Sequence, residues 1–277
     1  MSYLSPKEFV TKMIDAGESK VFMSTRDTLI RAYMAGAILA LAAAFAVTIN
    51  VQTGQPLAGA VLFPVGFCLL YLMGFDLLTG VFTLTPLALI DKRPGVTIQG
   101  VLRNWGLVFI GNFAGALTVA VMMAIVFTYG FTTAPNPVGV AIGHIGEGRT
   151  VGYAAHGAGG MLTLFIRGVL CNWMVSTGVV AAMMSTSVPG KVIAIWMPIM
   201  LFFYMGFEHS IVNMFLFPSG LMLEGNFSIM DYMIWNEIPT VAGNLVGGIA
   251  FVGLTLYSTH ARTAAKRNAH VAMVPAE

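Results

Sequence analysis

Glu208, His209 and Asn213 place a carboxylate, an imidazole and an amide in an apolar run, residues 192–223, whose other residues are all uncharged. A carboxylate beside an imidazole can hold or pass a proton, and an amide can fix the geometry of either. Ionisable side chains at membrane depth are costly to insert, so they face a protein interior or a pathway rather than lipid. Taken alone, Glu208 and His209 read equally well as a buried pair that satisfies itself. Asp76 is the single charge in a second apolar run, residues 60–90. Both runs exceed the ~20 residues that cross a bilayer. Gly74, Asp76, Thr79 and Gly80 mark where the first could open, and Gly206, Pro218 and Gly220 where the second could.

The composition sets the medium in which these residues act. Of 277 residues 57% are hydrophobic and 9% charged, and the mean hydropathy is +0.81. Soluble domains are about a quarter charged, so the chain reads as an integral membrane protein. Lys7, Lys12, Lys20, Arg26, Arg31, Lys92, Arg93, Arg103, Lys191, Arg262, Lys266 and Arg267 fall in the N-terminal segment, two short loops and the C-terminal tail, leaving only Arg149 and Arg167 elsewhere. The positive-inside rule makes that face cytoplasmic, with both termini inside the cell membrane. The net charge of +2 is therefore a topology signal, and no nucleic-acid partner is expected. Cys68 and Cys171 read as small buried hydrophobes, and no cofactor or metal is expected. No basic stretch leads into an apolar segment with a small-residue cleavage site, so a cleavable signal peptide is not expected. Ser5-Pro6-Lys7-Glu8 reads as a capping box opening a surface helix whose apolar face carries Phe9, Val10, Met13 and Ile14.

Crossings are expected near residues 31–50, 60–90, 104–127, 165–184, 192–223 and 239–257. The fold class is then an all-α polytopic membrane protein with six transmembrane helices, of which the second and fifth are broken. The divisions are a cytoplasmic N-terminal helix (1–28), a three-helix unit (29–131), an outer loop (132–160), a second three-helix unit (161–260) and a cytoplasmic tail (261–277). The units repeat each other. Met73-Gly74-Phe75-Asp76 recurs as Met205-Gly206-Phe207-Glu208, and Gly111-Asn112-Phe113-Ala114-Gly115 as Gly243-Asn244-Leu245-Val246-Gly247, both 132 positions on. Ile30-Arg31 and Ile166-Arg167 match more loosely, 136 apart. Three crossings per unit invert the second copy in the membrane. Inverted repeats with interrupted segments at equivalent places point to a site at the bilayer midplane.

Gly206-Phe207-Glu208-His209 with Asn213-Met214-Phe215, Asp76-Leu77-Leu78-Thr79 and the two Gly-Asn motifs together resemble the formate/nitrite transporter family. The resemblance spans all six expected crossings. It implies an aquaporin-like protomer, a homopentamer with a pore in each protomer, and small monovalent weak-acid anions as substrates, formate foremost, with nitrite or hydrosulfide as alternatives. By position it assigns His209 to the central pore histidine, Thr79, Asn172 and Glu208 to its polar partners and Asn244 to a pore-lining amide. Phe63, Phe67, Leu77, Leu78, Val175 and Phe202 correspond to apolar constrictions, which without the resemblance would read as ordinary helix contacts. The paired glycines of the Gly-Asn motifs keep their reading as close helix contacts.

The sequence departs from the family at the outer mouth. Residues 154–160 lack the lysine that many members carry there, which leaves His156, Arg149 or a differently built funnel. A proton-coupled passage is expected, in which helix N-termini at the breaks attract an anion and His209 exchanges a proton with it. An enzyme is not expected, since no His-x-x-His, Cys-x-x-Cys or paired intramembrane carboxylates at ligand spacing occur. A neutral-solute channel of aquaporin type would need paired Asn-Pro-Ala motifs, and the sole Asn-Pro is Asn136-Pro137.

Overall fold

A computed structural model describes residues 3–261, so most of the basic tail at 261–277 lies outside the described residues. The described chain is helical apart from one isolated bridge, Tyr3 to Ser185. The helices are α1 (Pro6–Phe22), α2 (Thr25–Thr53), α3 (Pro56–Leu62), α4 (Pro64–Leu72), α5 (Leu78–Ile90), α6 (Ile98–Phe127), α7 (Pro137–Gly148), α8 (Val151–Ala154), α9 (Gly157–Met184), α10 (Val188–Tyr204), α11 (Ser210–Met222) and α12 (Ile229–Ala261). By length and composition α2, α6, α9 and α12 can each cross a membrane. The shorter apolar helices are α3–α4, which together run over Pro56–Leu72, then α5, α10 and α11.

Local chemistry sets the ends. Ser24 accepts from Asp27 N–H at the start of α2, Thr97 from Gly100 N–H at α6, and Asn136 from Val138 and Gly139 N–H at α7. Ser5 and Glu8 form the expected capping box, and these hydrogen bonds hold the Glu8 carboxyl below its ordinary range. Every span begins earlier than the apolar pattern placed it, by four residues at α3 and α10 and by more at α2, α6, α9 and α12, because helix runs on beyond the apolar core. Segment 132–160, expected as an outer loop, carries α7 and α8. Its glycines do not prevent helix once Asn136-Pro137 starts one. Pro218 and Gly220 do not break α11. Pro218 sits inside that helix as Pro86 sits inside α5, 132 positions earlier, and neighbouring groups at membrane depth make such prolines tolerable.

The interruptions at 73–77 and 205–209 are built alike. Gly74 (φ +72°) and Gly206 (φ +66°) take the left-handed conformation that ends each preceding helix. Phe75 N–H donates to Leu70 C=O and Gly74 N–H to Tyr71 C=O; Phe207 and Gly206 repeat this with Phe202 and Phe203. An asparagine then holds each gap. Asn112 Nδ2 donates to Asp76 C=O (2.9 Å) and Ala32 C=O (2.8 Å), and its Oδ1 accepts from Leu78 N–H (2.9 Å). Asn244 Nδ2 donates to Glu208 C=O (2.9 Å) and Gly168 C=O (2.8 Å), and its Oδ1 accepts from Ser210 N–H (3.0 Å).

These asparagines reach the gaps because their helices sit backbone against backbone. A Cβ at Gly115 would lie 2.0 Å from Tyr33 O, and one at Gly247 2.2 Å from Val169 O, so α6 seats on α2 and α12 on α9 only through glycine.

Replacing Asn112 or Asn244 by leucine strands three buried backbone groups, so each variant should lose about 3 kcal/mol or more of stability. Unfolding in mixed micelles measures this, and two variants as stable as the parent would refute the bracing role.

Candidate permeation site

His209 closes the second gap and caps α11, accepting from Val212 N–H on Nδ1 at 3.3 Å. With Nδ1 accepting, the neutral ring carries its proton on Nε2, which lies 3.3 Å from Thr79 Oγ1 on the first residues of α5. The ring is buried, 5.5 Å from Phe202 in a stacked arrangement and 6.0 Å from Phe67 edge-on. The two phenyl rings separate two cavities of similar size. One, about 200 Å³, is lined by Phe67, Leu77, Asp76 and Lys20. The other, about 210 Å³, is lined by Phe202, His209, Val212 and Arg149. Each far exceeds the ~10–15 Å³ that one water needs.

The remaining predicted residues divide by distance from the imidazole. Phe63 lies edge-on to Phe202 at 5.8 Å and supports it. Leu78 and Val175 are buried and border neither cavity. Of the three polar partners, Thr79 alone reaches the ring. Asn172 Nδ2 donates to Thr79 C=O (3.1 Å) and Asn244 C=O (2.7 Å), and its Oδ1 accepts from Ser176 Oγ, so it positions Thr79 from behind. Glu208 turns away from the ring and accepts from Tyr153 Oη (2.8 Å), Asn213 Nδ2 (3.0 Å) and Asn236 Nδ2 (3.2 Å). Arg167 donates to Tyr153 Oη in turn. Asn244 spends its amide on backbone at the gap and borders neither cavity.

The helix N-termini at the gaps are mostly occupied. Leu78 and Ser210 N–H are taken by the asparagines and Val212 N–H by His209. Among the described residues, Thr79 N–H and Ile211 N–H donate to no protein partner, and they too are 132 positions apart.

Lys20, Tyr153, Asn236 and Arg149 complete this environment. Asn104 and Asn236 share the spacing of the other repeated residues, a signal that would have found the second of them; Tyr153 lay in the segment read as loop. Among the described residues, no group of three or more His, Cys, Asp or Glu comes together as a metal site would require. The arrangement offers a single ring N–H, two backbone donors and a cation near one mouth, all suited to a small anion and to proton exchange with it.

The family profile described as formate/nitrite transporter matches residues 7–258. The chain is 32% identical over 275 residues to a probable formate transporter of Methanothermobacter thermautotrophicus, covering 94% of this chain and 98% of that one. It is 30% identical to a formate channel of Bacillus thuringiensis, covering 94% and 97%, and 30% identical to the formate channel FocA of Escherichia coli K12, covering 89% and 92%. Its fold matches a solved ion channel of the same family with a TM-score of 0.78 at 21% identity, over 91% of this chain and 98% of that one. It also matches a pentameric formate channel with formate bound, with a TM-score of 0.70 at 22% identity over 84% and 96%. A helical chain matched almost end to end by this profile and by these transporters and channels belongs to the formate/nitrite transporter family.

Proposed function

We propose that the protein conducts small monovalent anions of weak acids, formate foremost, through a pore inside each subunit of a homopentamer in the cell membrane, with proton exchange at His209. The observation that carries this reading is a buried His209 that borders one cavity beside Phe202 and packs edge-on against Phe67, which lines the other. The relatives named for formate, and the fold match described as pentameric with formate bound, support the substrate and the assembly.

In this reading α3–α4 with α5, and α10 with α11, each make one crossing in pieces. Six crossings then form two inverted repeats. The equal spacing of both gaps, both asparagine braces and both internal prolines supports this. The Lys20 cavity opens toward the cytoplasm and the Arg149 cavity outward, as the basic loops at Lys92-Arg93 and Lys191 require.

A bare anion crossing between the phenyl rings loses water at a cost of several kcal/mol, whereas its conjugate acid does not carry that charge. A proton taken up by the imidazole from the outer cavity passes to an oxygen of the anion. The neutral acid then crosses and the neutral ring is restored. Thr79 and Ile211 N–H, unspent in the first turns of α5 and α11, would steady an anion that reaches the gaps, favoured by the positive helix ends. Nitrite would follow the same route, and hydrosulfide would take the proton on its sulfur.

Reconstituted protein should let formate acidify liposomes while leaving glycerol permeability unchanged; glycerol passage without formate passage would reverse the reading. His209→Ala should abolish the rise of formate flux on acidifying the outside. An unaltered pH profile in that variant would show that proton exchange occurs elsewhere.

A further inference from the structure

The repeat extends one element beyond the membrane helices. Asn104 Nδ2 donates to Lys20 C=O and Asn236 Nδ2 to Arg149 C=O, both at 3.0 Å. Lys20 lies in the last turn of α1 and Arg149 follows α7, and these helices open alike with Ser5-Pro6 and Asn136-Pro137. Each cation reaches the carboxylate at its gap, Lys20 to Asp76 and Arg149 to Glu208.

The two seats are alike and their occupants are used differently. Among the described residues, Asp76 has Lys20 as its only side-chain donor and its Oδ2 has no partner, so the ammonium is committed to it. Glu208 already holds three neutral donors. Arg149 Nη1 stands 3.6 Å from it, outside hydrogen-bond range, and the guanidinium donates to no other described group. It is one-quarter exposed and, among the described residues, is the only charged side chain lining the cavity that His209 borders. A guanidinium is a planar fork of donors that matches two-oxygen anions edge to edge, while an ammonium acts as a point charge.

We propose that Arg149, held over the second gap by Glu208 with its donors unspent, docks planar two-oxygen anions at this mouth and selects them over single-centre anions. The proposal rests on the transport reading for its purpose but concerns binding. Formate and nitrite present two oxygens to both arms of the fork. Hydrosulfide presents one centre and gains only from the charge. Arg149 is thus a specificity-determining residue, and Glu208 fixes where the fork lies.

Two measurements test this. Binding of 13C-formate to the purified protein is followed by NMR line broadening, and formate and hydrosulfide fluxes are followed in proteoliposomes. Arg149→Lys keeps the charge beside Glu208 and removes the fork, so formate should bind roughly tenfold more weakly, with hydrosulfide flux within about twofold of the parent. Arg149→Gln should weaken formate further and slow both anions. Should the glutamine variant fail to fold, the lysine variant carries the test alone. Formate binding unchanged in Arg149→Lys, or an equal loss for formate and hydrosulfide, overturns the proposal, since a purely structural role lowers both fluxes together. Formate binding to the parent without formate flux would overturn the transport reading and leave the docking site standing. No formate binding to the parent overturns the docking site.

Discussion

Where one apolar helix ends and the next begins inside an apolar body, backbone N–H and C=O groups are left that neither lipid nor water can satisfy, and this constraint governs the molecule. Asn112 and Asn244 meet it, each joining a gap carbonyl, the next helix's first N–H and a carbonyl of a neighbouring long helix. Without the braces the gaps would not be tolerable, and without the gaps Thr79 could not face His209. Asparagine suits the role because one planar amide supplies two donors and an acceptor in fixed directions. The flanking glycines matter for the same reason. A single methyl group at Gly115 or Gly247 would push the amide out of reach of its targets.

On this shared frame the halves carry different chemistry. Leu77 stands where the second half has His209, and Val81 where it has Asn213. The second carboxylate is accordingly surrounded by Tyr153, Asn213 and Asn236, while the first depends on Lys20. Glu208 thereby has its hydrogen bonds already made, whereas the His209 ring reaches Thr79 and packs against Phe67 and Phe202. The double role of His209 as helix cap and ring donor fixes the tautomer, because Val212 N–H occupies Nδ1 and leaves Nε2 to face Thr79.

Much of this frame was legible in the chain itself. The doubled Gly-Phe-Asp/Glu and Gly-Asn-x-x-Gly motifs located both gaps and both close helix contacts, because glycine at positive φ and glycine at backbone contact each admit few substitutes. The two long apolar runs revealed that something had to interrupt them. Less was legible where a local signal competes with context. Pro218 and Gly220 are breakers in water but sit quietly inside α11, and the glycines of α7 masked a helix begun by a strong cap. The direction of side chains was the least legible property. Nothing in the order of residues says that Glu208 faces away from His209, or that Asn244 serves backbone while Asn172 works through Thr79.

The reach of the first brace has a bearing on biogenesis. Asn112 contacts Ala32, Asp76 and Leu78, all of which precede it in the chain, and Gly115 seats on Tyr33. A nascent chain emerging N-terminus first therefore has every partner for its first gap as soon as α6 has been synthesised, before α7 exists. Chains generally fold in units as they are made. A half that satisfies its own backbone does not wait in the translocation machinery with polar groups bare, and the second half, which braces itself through Asn244 by the same rule, can assemble against a finished surface.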